Sequence, residues 1–107
     1  MVKAKLAEAI AVAEKVPCAL LMPAAWTAAD ISFQASLDGG ATWHDVYDMQ
    51  GNNLVLVNPQ VGTFYQLDPS QFAGLTVIRL QSGDPGAQVN QVAAAAVTLA
   101  TRKYYSV

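Results

Sequence analysis

Short runs of apolar residues, separated by clusters of Pro, Gly, Asn and Asp at roughly ten-residue intervals, follow one another from Cys18 onward. In the run 30–36, the apolar residues Ile31, Phe33 and Ala35 alternate with polar residues, which is the period of a half-buried strand. The pattern predicts seven strands, at residues 18–22, 30–36, 43–48, 54–57, 63–67, 75–81 and 92–102.

Strands of this length and spacing predict an all-β fold, either an antiparallel β-sandwich or a small barrel of about seven strands. A parallel sheet would need crossover segments of about a dozen residues between its strands. After position 18 the chain has no room for such segments, so the antiparallel arrangement is favoured.

The first sixteen residues fit two conformations. Residues 4–15 are rich in Ala, Leu, Glu and Lys, with Leu6, Ile10 and Ala13 at helical spacing, so local propensity favours a helix. The same segment also has apolar residues at alternating positions, with Glu8 as the exception, so a β context would make it a strand. We interpret residues 1–16 as an N-terminal extension, 17–103 as the sandwich domain and 104–107 as a C-terminal tail.

The composition limits the classes of partner. Of the 107 residues, 53% are hydrophobic and 13% are charged, and the net charge is −2. Because 19 of the hydrophobic residues are alanines, large core-forming side chains are few, and the chain is expected to complete its burial in an oligomer. The scattered cations form no stripe that would bind a phosphate backbone, so nucleic acid is not expected as a partner.

Membrane, export and disulfide signals are weak. The segment 16–29 contains only a five-residue apolar run, far short of the roughly 20 residues of a transmembrane helix, so no membrane partner is expected. Glu8 and Glu14 interrupt the segment in which a signal peptide has its apolar core. The single cysteine, Cys18, allows no intramolecular disulfide and is predicted to be a small buried thiol beside Leu20.

The segment 36–43 matches the Asp-box pattern S-x-D-x-G-x-T-W, which is a hairpin turn. The Asp38 carboxylate can accept hydrogen bonds from backbone amides two residues on, and glycines tolerate the positive φ angles that such turns need. Trp43 is expected to fold back over the turn. We interpret the motif as structural rather than catalytic, with six contributing residues: Ser36, Asp38, Gly39, Gly40, Thr42 and Trp43.

No arrangement of reactive residues predicts catalysis. The aspartates lie at predicted turns or strand ends, where they usually cap amides, and not as the facing pair that glycoside hydrolysis needs. His44 is the only histidine, is expected to point to solvent or an interface, and has no nearby thiolate to complete a zinc site. A calcium site at Asp45, Asp48 and the 50–53 turn lacks the ligand order of a calcium loop. The sequence therefore predicts no enzymatic activity and no cofactor.

Glycan binding is the alternative that the aromatic and amide residues leave open. Exposed aromatic rings can stack on sugars while amides bind sugar hydroxyls, and the candidates are Trp26, Trp43, Tyr47, Tyr65, Tyr104 and Tyr105, with Asn52, Asn53, Gln66 and Gln71. Both tryptophans also fit the interior of the sandwich, because tryptophan is highly buried on average.

Several motifs in one order resemble a family of small proteins encoded among the virion genes of tailed bacteriophages and prophages. They are MPAAWTAADISFQAS (22–36), DG (38–39), WHDVYD (43–48), LDP (67–69), FAG (72–74), RLQSG (79–83) and VNQ (89–91). The resemblance covers roughly residues 18–102. It implies a virion structural protein and supplies no catalytic residue.

The expected function is that of a capsid decoration, or cement, protein, made in the cytoplasm of the bacterial host and added to the capsid surface of the virion. Its expected partners are the major capsid protein and copies of itself, with a trimer as one arrangement, and many weak contacts would act together. The alternative places the same domain at the neck, tail or a fibre, as an accessory or host-glycan-binding module.

The chain ends are expected to carry much of the assembly contact. Deletion of residues 1–14 is therefore expected to leave a folded domain that associates more weakly. The candidate interface residues are Leu6, Ile10, Trp26, His44, Tyr104 and Tyr105.

Overall fold

The computed structural model describes residues 2–91 and 96–103 of the chain, with side chains from residue 5 onward. Within these residues the regular structure is ten β-strands and one short 3₁₀ turn, Pro69–Gln71. The strands are β1 (Val2–Lys5), β2 (Ile10–Ala11), β3 (Val16–Leu21), β4 (Ile31–Ser36), β5 (His44–Asp45), β6 (Val55–Leu56), β7 (Phe64–Gln66), β8 (Val77–Asp84), β9 (Ala87–Gln88) and β10 (Ala96–Arg102). A search of the described residues found no helix able to cross a membrane.

The strands form two antiparallel sheets, and the predicted all-β class is confirmed. One sheet has four strands in the order β1-β10-β3-β7. The other has six: β2-β8-β4-β5 follow one another, β6 also pairs with β4, and β9 pairs with β8. The longest pairing joins β4 to β8, with Ile31 opposite Ser82 and Ser36 opposite Val77. The arrangement is a β-sandwich.

The core lies between the two sheets. Side chains of Leu20, Val97 and Leu99 enter it from the four-stranded sheet and those of Ile31, Phe33, Ile78 and Leu80 from the six-stranded sheet, and all are buried. Phe72, just after the 3₁₀ turn, closes one part of the core, with its ring edge-to-face against Phe33 at a centroid distance of 5.2 Å. The apolar alternation read from the 30–36 segment therefore points inward, as predicted.

Of the two conformations that residues 4–15 fit, the helix favoured by local propensity is wrong and the strand alternative is confirmed, because this segment contains the end of β1 and all of β2. β1 pairs with β10 of one sheet and β2 pairs with β8 of the other, so the chain crosses between the sheets. A turn at Ala7, whose φ is 63°, separates the two strands, and Ile10 and Val12 are buried in the core. The first sixteen residues are thus integral to the sandwich, and we no longer expect a chain without residues 1–14 to fold.

The other predicted strands are present with changed bounds. The 43–48 strand is shortened to β5, and the last predicted strand corresponds to β10, with residues 92–95 outside the described part of the chain. β9 has no counterpart among the predicted strands; it folds back on the end of β8 through the Asp84–Ala87 turn. Cys18 is half-buried and not fully buried, with its thiol 3.5 Å from the Val16 carbonyl oxygen.

Candidate functional site

The Asp-box residues form the predicted turn between β4 and β5. The Ser36 hydroxyl donates to Asp38 Oδ1 (2.6 Å) and accepts from the Gly40 N–H (2.9 Å). The Asp38 carboxylate reaches further along the chain than expected, because it accepts from the N–H and the hydroxyl of Thr42, four residues on. Gly39 and Gly40 have φ angles of 74° and 103°. Hydrogen bonds from Ser36 first, and then from Thr42, hold the pKa of Asp38 well below its ordinary range.

Trp43 covers this turn, as predicted, and its ring contacts both Gly40 and Arg79. A Cβ placed on Gly40 would lie 3.4 Å from Trp43 Cζ2, which is van der Waals contact, so the ring packs directly over Gly40. The Arg79 guanidinium carbon lies 4.5 Å from the ring centroid, which is a cation–π contact. The ring is therefore engaged within the protein and is not a free platform for a sugar.

The outer face of the six-stranded sheet is polar and internally hydrogen-bonded. Arg79 Nε on β8 donates to Gln34 Oε1 on β4 (2.8 Å), and Gln34 Nε2 donates to Asp45 Oδ1 on β5 (2.8 Å). This chain of contacts crosses three strands and ends beside His44, which is exposed. Because these polar groups already bind one another, this face has little to gain from burial against an apolar partner.

The other predicted interface residues are differently placed. Ile10 is 7% exposed and belongs to the core, so a partner cannot reach it. Leu6 and Trp26 are half-buried and pack against the core, and Trp26 Nε1 donates to the Ala29 carbonyl oxygen at 3.2 Å. Tyr104 and Tyr105 lie outside the described residues.

The outer face of the four-stranded sheet is the best candidate for a contact surface. Leu20, Val97 and Leu99 point into the core, and successive strand residues point to opposite faces. The outward positions therefore form two cross-strand rows: Thr98, Leu21 and Phe64 in one, and Ala100, Ala19 and Gln66 in the other. Ala19 is only 7% exposed, so it offers almost no surface to a partner. We call the remaining apolar or weakly polar set Leu21, Phe64, Ala96, Thr98 and Ala100 the apolar face.

Phe64 is the prominent side chain of the apolar face. It lies on the edge strand β7 and is 51% exposed, whereas its neighbour Tyr65 packs against the core. The Met22 N–H donates to the Thr63 carbonyl and the Leu67 N–H to the Cys18 carbonyl, so odd-numbered β7 positions pair with β3. The backbone N–H and C=O groups of Phe64 and Gln66 consequently point to the edge of the sheet, where no strand in the described part of the chain pairs with them. An open edge beside an exposed ring is a feature that proteins usually protect or use.

The residues considered for a calcium site are occupied by other contacts. Asp48 Oδ1 accepts from the N–H groups of Gln50 and Asn52, both at 2.9 Å, and Asp45 accepts from Gln34. Among the described residues no group of three or more His, Cys, Asp or Glu side chains could hold a metal ion.

A pair of carboxyl groups was missed by the sequence reasoning. Asp84 shares a side-chain hydrogen bond with Asp30, and this contact, followed by burial, raises the pKa of Asp84. The two meet because the β8–β9 hairpin ends beside the start of β4, where the Gly83 N–H donates to the Asp30 carbonyl at 2.7 Å. Sequence spacing gives no signal for a contact between turns 54 residues apart.

Comparison of the chain with protein-family models, with curated proteins and with solved structures gave no match.

Proposed function

We propose that this chain is a non-enzymatic structural protein of a bacteriophage virion, a capsid decoration protein that binds the major capsid protein through its apolar face. The carrying observation is the contrast between the two outer faces. One sheet presents small apolar side chains with an exposed Phe64, and the other presents the Arg79–Gln34–Asp45 chain of hydrogen bonds. Such a protein would occupy the capsid surface in many copies.

The chemistry of the apolar face supports a protein partner. Phenylalanine is enriched in the centre of protein interfaces, where charged residues are depleted. The small side chains of Ala96 and Ala100 leave room for a partner surface to approach the backbone of the sheet closely. At the edge of β7 the backbone groups of Phe64 and Gln66 can pair with an added strand.

Repetition on a shell supports the same assignment. When many linked copies bind one lattice, the overall binding is tighter than a single modest contact would give, because further binding events become intramolecular. Association of the chain with copies of itself belongs to this proposal, and a trimer would place three apolar faces around one axis of the shell.

The test uses particles that lack this chain. Purified protein is added back, and particle disruption is followed by calorimetry. Because a decoration protein binds the assembled shell, it should stabilise the shell by about 2.7 kcal/mol per site when free protein is at a hundred times its dissociation constant. Disruption temperature should rise while adsorption to the host stays unchanged. An unchanged disruption temperature at full occupancy would contradict the proposal, and a defect in joining or attachment would indicate a neck, tail or fibre protein.

A matched pair of variants locates the contact. Phe64→Glu should abolish binding to the particle, because it replaces the most exposed apolar side chain of this face with a charge that a partner would have to desolvate. Leu37→Glu introduces the same charge at an 86% exposed position on the Asp-box turn, outside that face, and should bind like the wild type. Equal binding by both variants would show that the apolar face is not the contact surface.

A further inference from the structure

A cleft of about 370 Å³ opens between the turn that follows Tyr47 and the 3₁₀ turn, on a part of the molecule distinct from the apolar face. Small-molecule sites usually have volumes of roughly 300–1,000 Å³, so the cleft is large enough for a ligand. It is lined by Tyr47, Asp48, Met49, Gln50, Leu54, Ser70 and Gln71.

Both walls of the cleft are held by carboxylates within their own turns. Asp48 Oδ1 accepts from the N–H groups of Gln50 and Asn52, and the Gly51 N–H donates to the Asp48 carbonyl. On the opposite wall, Asp68 Oδ1 accepts from the N–H and the hydroxyl of Ser70, at 3.0 and 2.7 Å. Because each wall is fixed before a ligand arrives, little ordering entropy is lost on binding.

The polar groups that face the cleft include three without a protein partner. The Tyr47 hydroxyl and the side-chain amides of Gln50 and Gln71 make no hydrogen bond to any residue in the described part of the chain. The Tyr47 ring is 53% exposed, and Leu54, which packs against the core, supplies an apolar surface. An open aromatic ring next to free amides can stack on the C–H groups of a pyranose and bind its hydroxyls.

The charge of the side chains that line the cleft favours a neutral ligand over an anionic one. Among the described residues that line the cleft, Asp48 is the only charged one, and none is Lys or Arg. An anionic ligand would meet a carboxylate without a compensating cation, whereas a sugar hydroxyl can donate to that carboxylate. Among the described residues, the other aromatic candidates are engaged elsewhere: Trp43 by Arg79, Trp26 by Ala29, and Tyr65 through its hydroxyl, which accepts from the Gln60 N–H.

We infer that this cleft is a binding site for a neutral sugar, with the Tyr47 ring as its stacking platform and the Gln50 and Gln71 amides as its hydroxyl-binding groups. This activity adds to the proposed capsid role and does not depend on it, because it uses different residues. It gives the particle a means of weak contact with neutral glycans, and many copies would strengthen that contact through avidity.

The test is an NMR titration of the full-length, ¹⁵N-labelled chain with glucose, galactose, mannose and N-acetylglucosamine and with their short oligomers. Saturable shifts in the amides of residues 47–54 and 69–71 with at least one neutral sugar are the expected result. Absence of shifts with every sugar, or stronger binding of sialic acid, would overturn the proposal. The proposal would also be overturned if indole displaced the bound sugar and bound more tightly than the sugar does. The cleft would then be a site for apolar ligands.

Variants separate this site from the apolar face. Tyr47→Ala and Gln71→Ala should each weaken sugar binding about tenfold, while Tyr47→Phe keeps the ring and should lose less. Phe64→Ala removes a ring of similar exposure on the other sheet and should leave sugar binding unchanged. Tyr47→Ala should still bind particles, so failure of the sugar site and failure of the capsid role give different results. Equal sugar affinity in wild type and Tyr47→Ala would contradict the assignment, provided that the variant keeps the wild-type amide spectrum.

Discussion

Ser36 holds the Asp-box turn through one hydroxyl that both donates and accepts. It donates to the Asp38 carboxylate and accepts from the Gly40 N–H, and a longer contact joins it to the Asp38 N–H at 3.3 Å. Because Ser36 is only 1% exposed, water cannot take over these contacts when the hydroxyl is removed. The turn therefore depends on this buried serine as well as on the aspartate that gives the motif its name.

Ser36→Ala should lower the free energy of unfolding by about 1–3 kcal/mol, the usual cost of leaving a buried hydrogen-bonding group without a partner. Urea denaturation gives the value. The control is Ser70→Ala, which removes a serine with a similar contact to Asp68 at an exposed position where water can replace the hydroxyl. Equal losses in the two variants would show that burial of the Ser36 hydroxyl is not what makes it important.

The lowered pKa of Asp38 makes the turn sensitive to acid. A carboxyl with a lower pKa in the folded state binds fewer protons when folded, so its contribution is complete above its ordinary value of 3.8. The contribution falls as the pH drops below that value. The stability difference between wild type and Asp38→Ala should therefore shrink from about pH 5 downward, as followed by urea melts. Parallel stability curves for the two proteins would contradict this assignment.

Asp84 should have the opposite effect, because its pKa is raised by Asp30. Its stabilising hydrogen bond is complete while the carboxyl is protonated and is lost as the pH rises through the raised value, which leaves two like charges together. Asp84→Asn keeps a donor for Asp30 and removes the repulsion, so its melting temperature should exceed that of the wild type at neutral pH. Calorimetry at neutral and acid pH should show this gain disappearing in acid. A lower melting temperature at neutral pH would contradict the prediction.

The strands were predictable where an alternating or continuous apolar run is long enough to be recognised. β4 and β8 meet this condition, whereas β2 and β9 have two residues each and carry no pattern of their own. The N-terminal segment fits both a helix and strands by its sequence, and the strands prevail because helix propensity differs by at most about 0.7 kcal/mol per ordinary residue, while burying one large apolar side chain gains about 1.5–3 kcal/mol. Ile10 and Val12 gain that burial only as parts of the sandwich.

The candidate surfaces were less predictable than the strands, because alternation defines two faces and does not say which one lies inward. In β7 the register with β3 decides which side chain points inward: Tyr65 lies opposite the buried Leu20, and Phe64 lies opposite Leu21. Long-range polar contacts are equally hidden: the Gln91 amide bonds both the N–H and the C=O of Thr27, 64 residues away. The Asp-box turn was predictable because its partners lie within four residues of one another.

Ile10→Ala should lower the free energy of unfolding by about 2–5 kcal/mol, the usual cost of truncating a buried isoleucine. Leu37→Ala removes a similar side chain at an exposed position and should change stability by less than about 0.5 kcal/mol. Circular dichroism should also show that the chain without residues 1–14 is unfolded. A folded, cooperatively melting deletion variant would show that β1 and β2 are dispensable.

The molecule as a whole presents two unlike surfaces to its surroundings. The polar contacts of the six-stranded sheet are satisfied internally, whereas the apolar face carries Phe64 at one edge strand and is bordered by Lys5 on the other edge strand, β1. Lys5 lies opposite Ala96, which points outward, and its side chain is exposed. A partner that docks on this face would therefore bury an uncharged centre and leave a cation at the rim.

If the apolar face contacts the shell as proposed, this layout predicts that the association rate and the dissociation rate depend on different residues. Phe64→Ala should raise the dissociation rate from particles, because truncating a large aromatic contact residue shortens the lifetime of a complex. Lys5→Gln should instead lower the association rate and its dependence on salt, since rim charges act mainly on encounter. Surface plasmon resonance at several NaCl concentrations measures both rates. If Lys5→Gln changed only dissociation, Lys5 would belong to the buried centre of the contact, and the proposed extent of the apolar face would be wrong.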